Sequence, residues 1–274
     1  MPPSEPQPLP KGVENQASLY GGTVNIQLGN FGRKRHAYYW VENDSFVPGT
    51  TSITRLLDKP ALLPWTAKQV ASYVEKELLE RLEKQGKQSI ITITKADIKR
   101  LAEEAKGAPR RFVDDASDVG KLVHDYANRM FKGEYIGELP DSVDFRVRNG
   151  VNAIRDWVRN HDVTPLGAEQ IVFSRKWYYA GTYDLLATVD GRLAIVDFKT
   201  SKAVYTEHRL QTAGYQHAWE EEHGEPIFDR YAIRVDKYTG DFEAHHFPRS
   251  QLEIDTFLRL REIDENLKKM EQAA

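Results

Sequence analysis

Cysteine is absent from the 274 residues of this chain. Its absence excludes a disulfide framework, a cysteine nucleophile, a thiolate zinc site and a cysteine-ligated iron–sulfur cluster. Long apolar runs are also lacking, and stretches such as residues 90–93 are too short to span a bilayer. The first residues carry no apolar signal core and no arginine-rich transit pattern, so we expect a cytoplasmic protein with no membrane partner.

An excess of positive charge is lacking as well. Lys and Arg total 38 against 41 Asp and Glu, which gives a formal net charge of −3. This balance excludes a protein held to nucleic acid by bulk positive charge, but it allows a local basic groove.

The chain is expected to have three parts. Prolines among polar residues favour a disordered tail over residues 1–16. Residues 17–116 are predicted to form an N-terminal hairpin and a helical region. In residues 117–274, helices alternate with stretches of strand pattern, which predicts an α/β (α+β) core with a central sheet flanked by helices.

Local signals set the expected boundaries of several elements. The hairpin has a basic tip at residues 33–35. Thr94 precedes a helix over residues 95–106, which stops at Gly107. Ser117 is expected to cap the next helix, which continues to about Phe131.

Two acidic residues face each other across a predicted hairpin of the core. Asp190 and Gly191 lie between two apolar strands and predict a two-residue turn. In that register Asp184 faces Asp197, and Thr182 faces Lys199. Like charges at facing positions are unfavourable, and a divalent cation between them reverses the sign of the interaction.

The residue two positions beyond Asp197 is Lys199, whose side chain shares its face of the strand. Oxygen ligands on a rigid hairpin suit Mg²⁺ or Mn²⁺. A lysine beside the metal can hold a water or stabilise charge on a phosphate. The pattern indicates metal-assisted hydrolysis of a phosphodiester, and the alternative is an exposed hairpin face with ordinary polar alternation.

These residues resemble the PD-(D/E)xK nuclease superfamily, specifically its RecB-like exonuclease branch. The likeness covers about residues 117–220 and consists of four separate elements in order. The elements are His124 on a helix, Gly181-Thr-Tyr-Asp184, Val196-Asp197-Phe198-Lys199-Thr200, and Gln211-Thr-Ala-Gly-Tyr215. Tyr183 stands where the superfamily's name has proline, and the RecB-like branch commonly has a Gly-x-x-Asp form there.

The resemblance implies a restriction-endonuclease-like core with a central mixed sheet, and it assigns roles to individual residues. Asp184 and Asp197 would ligate one or two Mg²⁺ or Mn²⁺ ions, together with the main-chain carbonyl of Phe198 and the imidazole of His124. Lys199 would activate or orient the attacking water. No iron–sulfur cluster is expected, since cysteine is absent.

Three further residues are expected to support the site or contact DNA. Gln211 and Tyr215 look like the Gln-x-x-x-Tyr pair of the family, although their spacing also fits simple packing of a helix on the sheet. Glu169 opens the strand before the hairpin, where related nucleases often have an acid. It would serve equally well as a surface residue.

The function implied is a metal-dependent DNA exonuclease acting on single-stranded or frayed ends. Residues 17–116 could form a wall over the active site, and residues 48–65 resemble the N-terminal part of exonuclease-like proteins in phage genomes. We therefore expect a role in replication, recombination or repair in a bacterium or phage-infected host, with a single-strand annealing or replication protein as a further partner. The alternatives are an endonuclease of the same fold and a non-catalytic DNA-binding module.

Contacts with DNA would require local basic and aromatic groups. As alternatives, the basic residues fit solvated loops and the aromatic residues fit core positions. The candidates are Arg33, Lys34, Arg35, Arg110, Arg111, Arg175, Lys176 and Lys202, with Tyr38, Tyr39, Trp40, Trp177, Tyr178 and Tyr179.

Overall fold

The computed structural model describes residues 10–57, 59, 61–84 and 90–273. The chain forms two compact units, of which unit 2 is Asp58–Lys121 and unit 1 contains the residues before and after it. The boundary predicted between residues 116 and 117 is therefore wrong for the N-terminal hairpin, because the hairpin belongs to the same unit as the core. Only the helical residues that follow the hairpin form a separate unit.

The N-terminal part of unit 1 is a four-stranded antiparallel sheet followed by a short helix. Its strands lie in the order β1-β2-β3-β4. The elements are β1 (Val13–Leu19), β2 (Val24–Phe31), β3 (Lys34–Trp40), β4 (Ser45–Val47) and α1 (Thr50–Thr54). The predicted tail over residues 1–16 is wrong from residue 13, where β1 begins, and residues 1–9 lie outside the described residues.

Unit 2 is helical and contains α2 (Leu62–Lys84), α3 (Lys95–Lys106) and the first half of α4 (Ala108–Phe131). Thr94 caps α3 with a capping box, as its position predicts. Ser117 does not cap a helix, because it lies inside α4. The helix begins earlier because Pro109 is in its first turn, where proline lacks only a hydrogen bond that the helix does not make.

The rest of unit 1 is a five-stranded mixed sheet with helices on both faces, which confirms the predicted fold class. Its strands lie in chain order, and only the β7–β8 pair is parallel. The elements are α5 (Phe145–Asn160), β5 (Val163–Ser174), β6 (Tyr179–Val189), β7 (Arg192–Lys199), α6 (Thr206–His223), β8 (Asp229–Val235), β9 (Phe242–Pro248) and α7 (Gln251–Ala273).

Alternating side chains of β7 enter two different cores. Ile195 is buried with residues of α6 and α7, including Phe257. Phe198 is buried on the other face, where its ring lies 5.7 Å from Phe131 of α4 and 5.9 Å from Trp157 of α5. The strand is therefore covered on both sides, and its C-terminal end is held between α4 and α6.

The inner face of the N-terminal sheet packs on β5 and β6. Its buried residues include Val24 and Ile26, which contact a cluster containing Ile171, Phe173 and Ala180. Separately, no helix in the described parts of the chain is long and apolar enough to cross a membrane.

Candidate active site

The two facing acids lie where the β6–β7 ladder ends. Asp190 and Gly191 form the turn, and the register pairs Val189 with Arg192, as predicted. The last pair of the ladder is Leu185 with Val196, one position before the acids. There the strands separate, and the site opens between them.

Both carboxylates are held by the adjoining backbone or side chains. Asp184 accepts a hydrogen bond of 2.6 Å from the backbone N–H of Phe198. Asp197 is only 3% exposed. Burial raises the pKa of Asp197 to about 6, with the charge of Lys199 opposing and that of Asp184 adding to the shift.

His124 reaches the site from α4. Val123 and Ala127 on the same helix are buried, and Val123 packs against Gly150 of α5, which fixes the helix over this end of the sheet. The Nδ1 atom of His124 lies 3.0 Å from Oδ1 of Asp184.

This contact shifts the pKa of both groups. Burial lowers the pKa of His124, but the charge and hydrogen bond of Asp184 outweigh that effect and raise it to about 9. Burial raises the pKa of Asp184, but the interaction with His124 brings it below its ordinary value. The pair therefore carries a proton on the imidazole at neutral pH in the metal-free protein.

Lys199 links the acids to α6. Its ammonium contacts Oδ2 of Asp197 and donates a hydrogen bond of 3.0 Å to Oε1 of Gln211. The side chains of Asp197 and Lys199 thus lie on the same face of β7, as their spacing predicts. Lys199 is held at the position where it could orient a water or a phosphate oxygen beside Asp197.

Gln211 is the centre of a hydrogen-bonded network behind Lys199. Its side-chain amide donates to the hydroxyl of Tyr215 at 2.5 Å and to the hydroxyl of Thr51 at 3.0 Å. Gln211 and Tyr215 are buried, and burial raises the pKa of the Tyr215 hydroxyl. The network gives Gln211 a positioning role toward Lys199 as well as a place in the packing.

Thr51 is a site residue that the sequence did not identify. It lies in α1, and the segment before α1 runs beside β6, where the N–H of Ala180 donates to the carbonyl of Pro48 at 3.0 Å. The only sequence signal was the likeness of residues 48–65 to phage exonuclease-like proteins.

Gly181 of the Gly-x-x-Asp motif has a packing reason. A Cβ atom at this position would lie 2.5 Å from the ring of Tyr215. Glycine therefore allows the tyrosine ring to rest on β6, which brings α6 and its glutamine close to the acids.

Glu169 lies on β5 at the position opposite Asp184, between the pairs Ala168–Leu185 and Gln170–Tyr183. Its φ of 53° is in the left-handed region, which is uncommon for residues other than glycine. Burial, with the charge of Asp184 adding to it, raises the pKa of Glu169 to about 7. The structure thus brings a third carboxyl group to the acids.

The predicted register pairs Thr182 with Lys199, but the structure does not contain this pair. The β6–β7 ladder ends at the pair of Leu185 with Val196, before it reaches Thr182. Its hydroxyl instead contacts the hydroxyl of Tyr38 at 2.9 Å. Thr182 therefore joins the core sheet to β3.

The donor atoms of the site fit Mg²⁺ or Mn²⁺ in kind, because Asp184 and Asp197 supply hard oxygen ligands and His124 an imidazole. Among the residues described, no three His, Asp or Glu side chains are already spaced as a ligand set. Asp184 is instead paired with His124, and Asp197 with Lys199. The residues fit the ion once the contact between His124 and Asp184 opens.

Part of the chain is similar to a known protein family. Residues 144–273 match the model of the PD-(D/E)XK nuclease superfamily. No protein with a curated description matches the chain by sequence.

Two solved structures also match part of this chain. A proposed exonuclease from Eubacterium rectale has 15% identity and a TM-score of 0.38, and the match covers 54% of this chain and 65% of that protein. An alkaline exonuclease from Laribacter hongkongensis has 11% identity and a TM-score of 0.27, with 56% and 84% coverage. The family match includes Asp184, Asp197 and Lys199, so the part of the chain over residues 144–273 is similar to the PD-(D/E)XK nuclease superfamily.

Proposed function

We propose that this protein is a Mg²⁺- or Mn²⁺-dependent DNA exonuclease of the RecB-like kind that acts at single-stranded or frayed ends. The observation that carries the proposal is the arrangement of the partly buried carboxylate of Asp184 and the buried carboxylate of Asp197, with His124 on the first and Lys199 on the second. The nuclease superfamily supports hydrolysis of a phosphodiester bond.

Asp184, Asp197, His124 and the carbonyl of Phe198 would hold the metal. When bound, the ion supplies a Lewis acid for the phosphate and lowers the pKa of a coordinated water. Lys199 would orient the attacking water or stabilise charge on the phosphate, and its hydrogen bond to Gln211 holds it in place for that role.

The biological role proposed is the trimming of DNA ends during replication, recombination or repair, in the cytoplasm of a bacterium or phage-infected host. A single-strand annealing or replication protein would be its partner.

End-labelled linear single-stranded DNA, linear duplex and closed circular DNA provide the test. Each is incubated with Mg²⁺, Mn²⁺ or EDTA. Metal-dependent loss of linear DNA, with circles spared, is expected of the native protein. Asp197→Asn should abolish cleavage, because it removes the charge of a ligand. Asp190→Asn is the matched control, since Asp190 lies at the turn of the same hairpin and asparagine tolerates its φ of 49°.

Other outcomes would replace the proposal. Cutting of circles would indicate an endonuclease. Binding of DNA without cleavage by either metal would indicate a non-catalytic module. Full activity in Asp197→Asn would refute the assignment of the site.

A further inference from the structure

The outer face of the N-terminal sheet carries a cluster of three aromatic rings, which we name the aromatic platform: Phe31, Tyr39 and Phe46. Their centroids lie 5.3–5.7 Å apart. Phe46 is 38% exposed, although it sits on a regular strand. The neighbours Tyr38 and Trp40 point the other way and pack against the core sheet. The platform is therefore a separate outward surface and is not part of the core.

Positive charge adjoins the platform. Lys34 pairs with Phe31 across the hairpin, and its ammonium lies 3.9 Å from the centroid of Phe46. Arg33 and Arg35 flank Lys34 and are exposed. The hairpin tip thus combines three consecutive cations with one exposed ring and two partly exposed rings, which is the combination that binds the phosphates and bases of an unpaired strand.

Three acidic side chains of the N-terminal sheet and its turns are engaged in other contacts. Glu14 accepts from Asn30 and contacts His36, and Asp44 accepts from the hydroxyl of Tyr39. Glu42 is hydrogen-bonded to Asn25. These three carboxylates are therefore paired within this part of the chain, whereas the tip itself presents three successive cations to solvent.

The platform is fixed relative to the catalytic acids. Tyr38 on β3 contacts Thr182, two residues before Asp184. Asn15 on β1 donates a hydrogen bond of 2.9 Å to the carbonyl of Glu169, and Asn15 pairs with Leu28 on β2. Phe31 is three residues beyond Leu28, or about 10 Å along the strand. The N-terminal sheet therefore contacts residues of the site through Tyr38 and Asn15, and it carries the aromatic platform farther along its strands.

We propose that the aromatic platform and the basic tip bind single-stranded DNA adjoining the cleavage site. Bases stack on Phe31 and Phe46 while Lys34 and its flanking arginines contact phosphates. A base that takes the exposed face of Phe46 displaces the ammonium of Lys34, which moves to the next phosphate. This inference rests on the proposed function, because it names the strand that the site would process.

Fluorescence anisotropy in EDTA tests the proposal without cleavage. The probes are a fluorescein-labelled 20-nucleotide oligo(dT) and an abasic 20-mer that keeps the phosphates. Phe46→Ala should weaken oligo(dT) binding about 5- to 100-fold, since stacking on one ring is lost. Phe46→Tyr should keep the affinity. Phe228→Ala is the matched control, because Phe228 is 52% exposed and precedes β8 at the far end of the core sheet.

A salt series tests the charged part separately. Lys34→Gln should reduce the slope of log K against log salt by about 0.7, the value for one phosphate contact on a single strand. It should do so for both probes. If Phe46→Ala lowers the midpoint of thermal unfolding, the salt series and the Phe46→Tyr variant still test the proposal.

Several results would overturn the inference. Equal affinity of Phe46→Ala and the native protein for oligo(dT) would do so, as would equal affinity of the native protein for both probes. Absence of oligo(dT) binding, together with a dimer that Phe46→Ala dissociates, would identify the platform as an interface between copies.

A separate assay of hydrolysis tests the proposed function independently of DNA binding. Hydrolysis of a small chromogenic phosphodiester by the native protein with Mn²⁺ requires the metal site and not the platform. Failure of that assay with stacking-dependent DNA binding would refute the nuclease and retain the platform. Hydrolysis without stacking-dependent DNA binding would retain the nuclease and refute the role of the platform.

Discussion

Metal binding should expel a proton from His124. The metal-free protein holds a protonated imidazole against Asp184, and its pKa is about 9. A histidine ligates a metal only through a deprotonated ring nitrogen. If His124 is a ligand, each ion that binds below that pKa must displace the proton from the ring.

The expected release follows from the three titrating groups. At pH 8 a group of pKa 9 is about 90% protonated, so His124 contributes about 0.9 proton per ion. Glu169, with its pKa of about 7, adds about 0.1, and Asp197, at about 6, adds about 0.01. Because the proton competes with the metal, affinity should rise as pH increases toward 9, by up to about ten-fold per unit below it.

Titration calorimetry with Mn²⁺ at pH 8, in two buffers of different ionisation enthalpy, counts the protons. The native protein should release about one, and His124→Ala about 0.1. His245→Ala is the matched control, since His245 lies on β9, and it should behave as the native protein does. Release below about 0.3 proton, or unchanged release in His124→Ala, would refute the role of His124 as a ligand.

Three further changes test the network around the acids. Lys199→Met should lower kcat by about 10²- to 10⁴-fold and leave DNA binding intact, since the charge at the reacting phosphate is lost. Thr51→Val should lower kcat about 5-fold, the equivalent of one neutral hydrogen bond, because it removes the hydroxyl that accepts from the amide holding Lys199. Gly181→Ala should lower the free energy of unfolding by about 1–3 kcal/mol in urea titrations, since the new methyl group meets an aromatic ring at 2.5 Å.

Each of these changes has a control of matched chemistry. Lys269→Met removes an exposed lysine on α7 and should keep full activity. Thr51→Ser keeps the hydroxyl and should restore kcat. Gly137→Ala should change stability by less than about 0.5 kcal/mol, because its methyl group would come no closer than 3.5 Å to another residue. Equal effects of a test variant and its control would contradict the corresponding contact.

Local signals predicted those elements whose ends are determined by local chemistry. The bounds of α3 agree with the prediction because Thr94 and Gly107 act as caps within one turn. The register of β6 and β7 agrees because an Asp-Gly turn fixes it. β5 begins at Val163, six residues before Glu169, which was predicted to open it, because an edge strand accommodates Pro165 next to a shift in register.

The candidate site could be predicted only where its residues lie in one hairpin. The common face of Asp197 and Lys199 follows from the period of a strand. Thr51 and the left-handed backbone of Glu169 depend on contacts between distant segments, for which the sequence has no periodic signal. The contact of the Thr182 hydroxyl is equally non-local, because its partner Tyr38 lies on the N-terminal sheet.

The packing of the N-terminal sheet on β5 and β6 has a consequence for the order of folding during synthesis. Tyr38 and Thr182 are 144 residues apart, and the inner face that includes Val24 and Ile26 has its partners only on the later strands. The first sheet therefore leaves the ribosome with an apolar face that stays in water until most of the chain has been made. Such long-range closure slows folding, and we expect this face to be the place where nascent chains recruit chaperones.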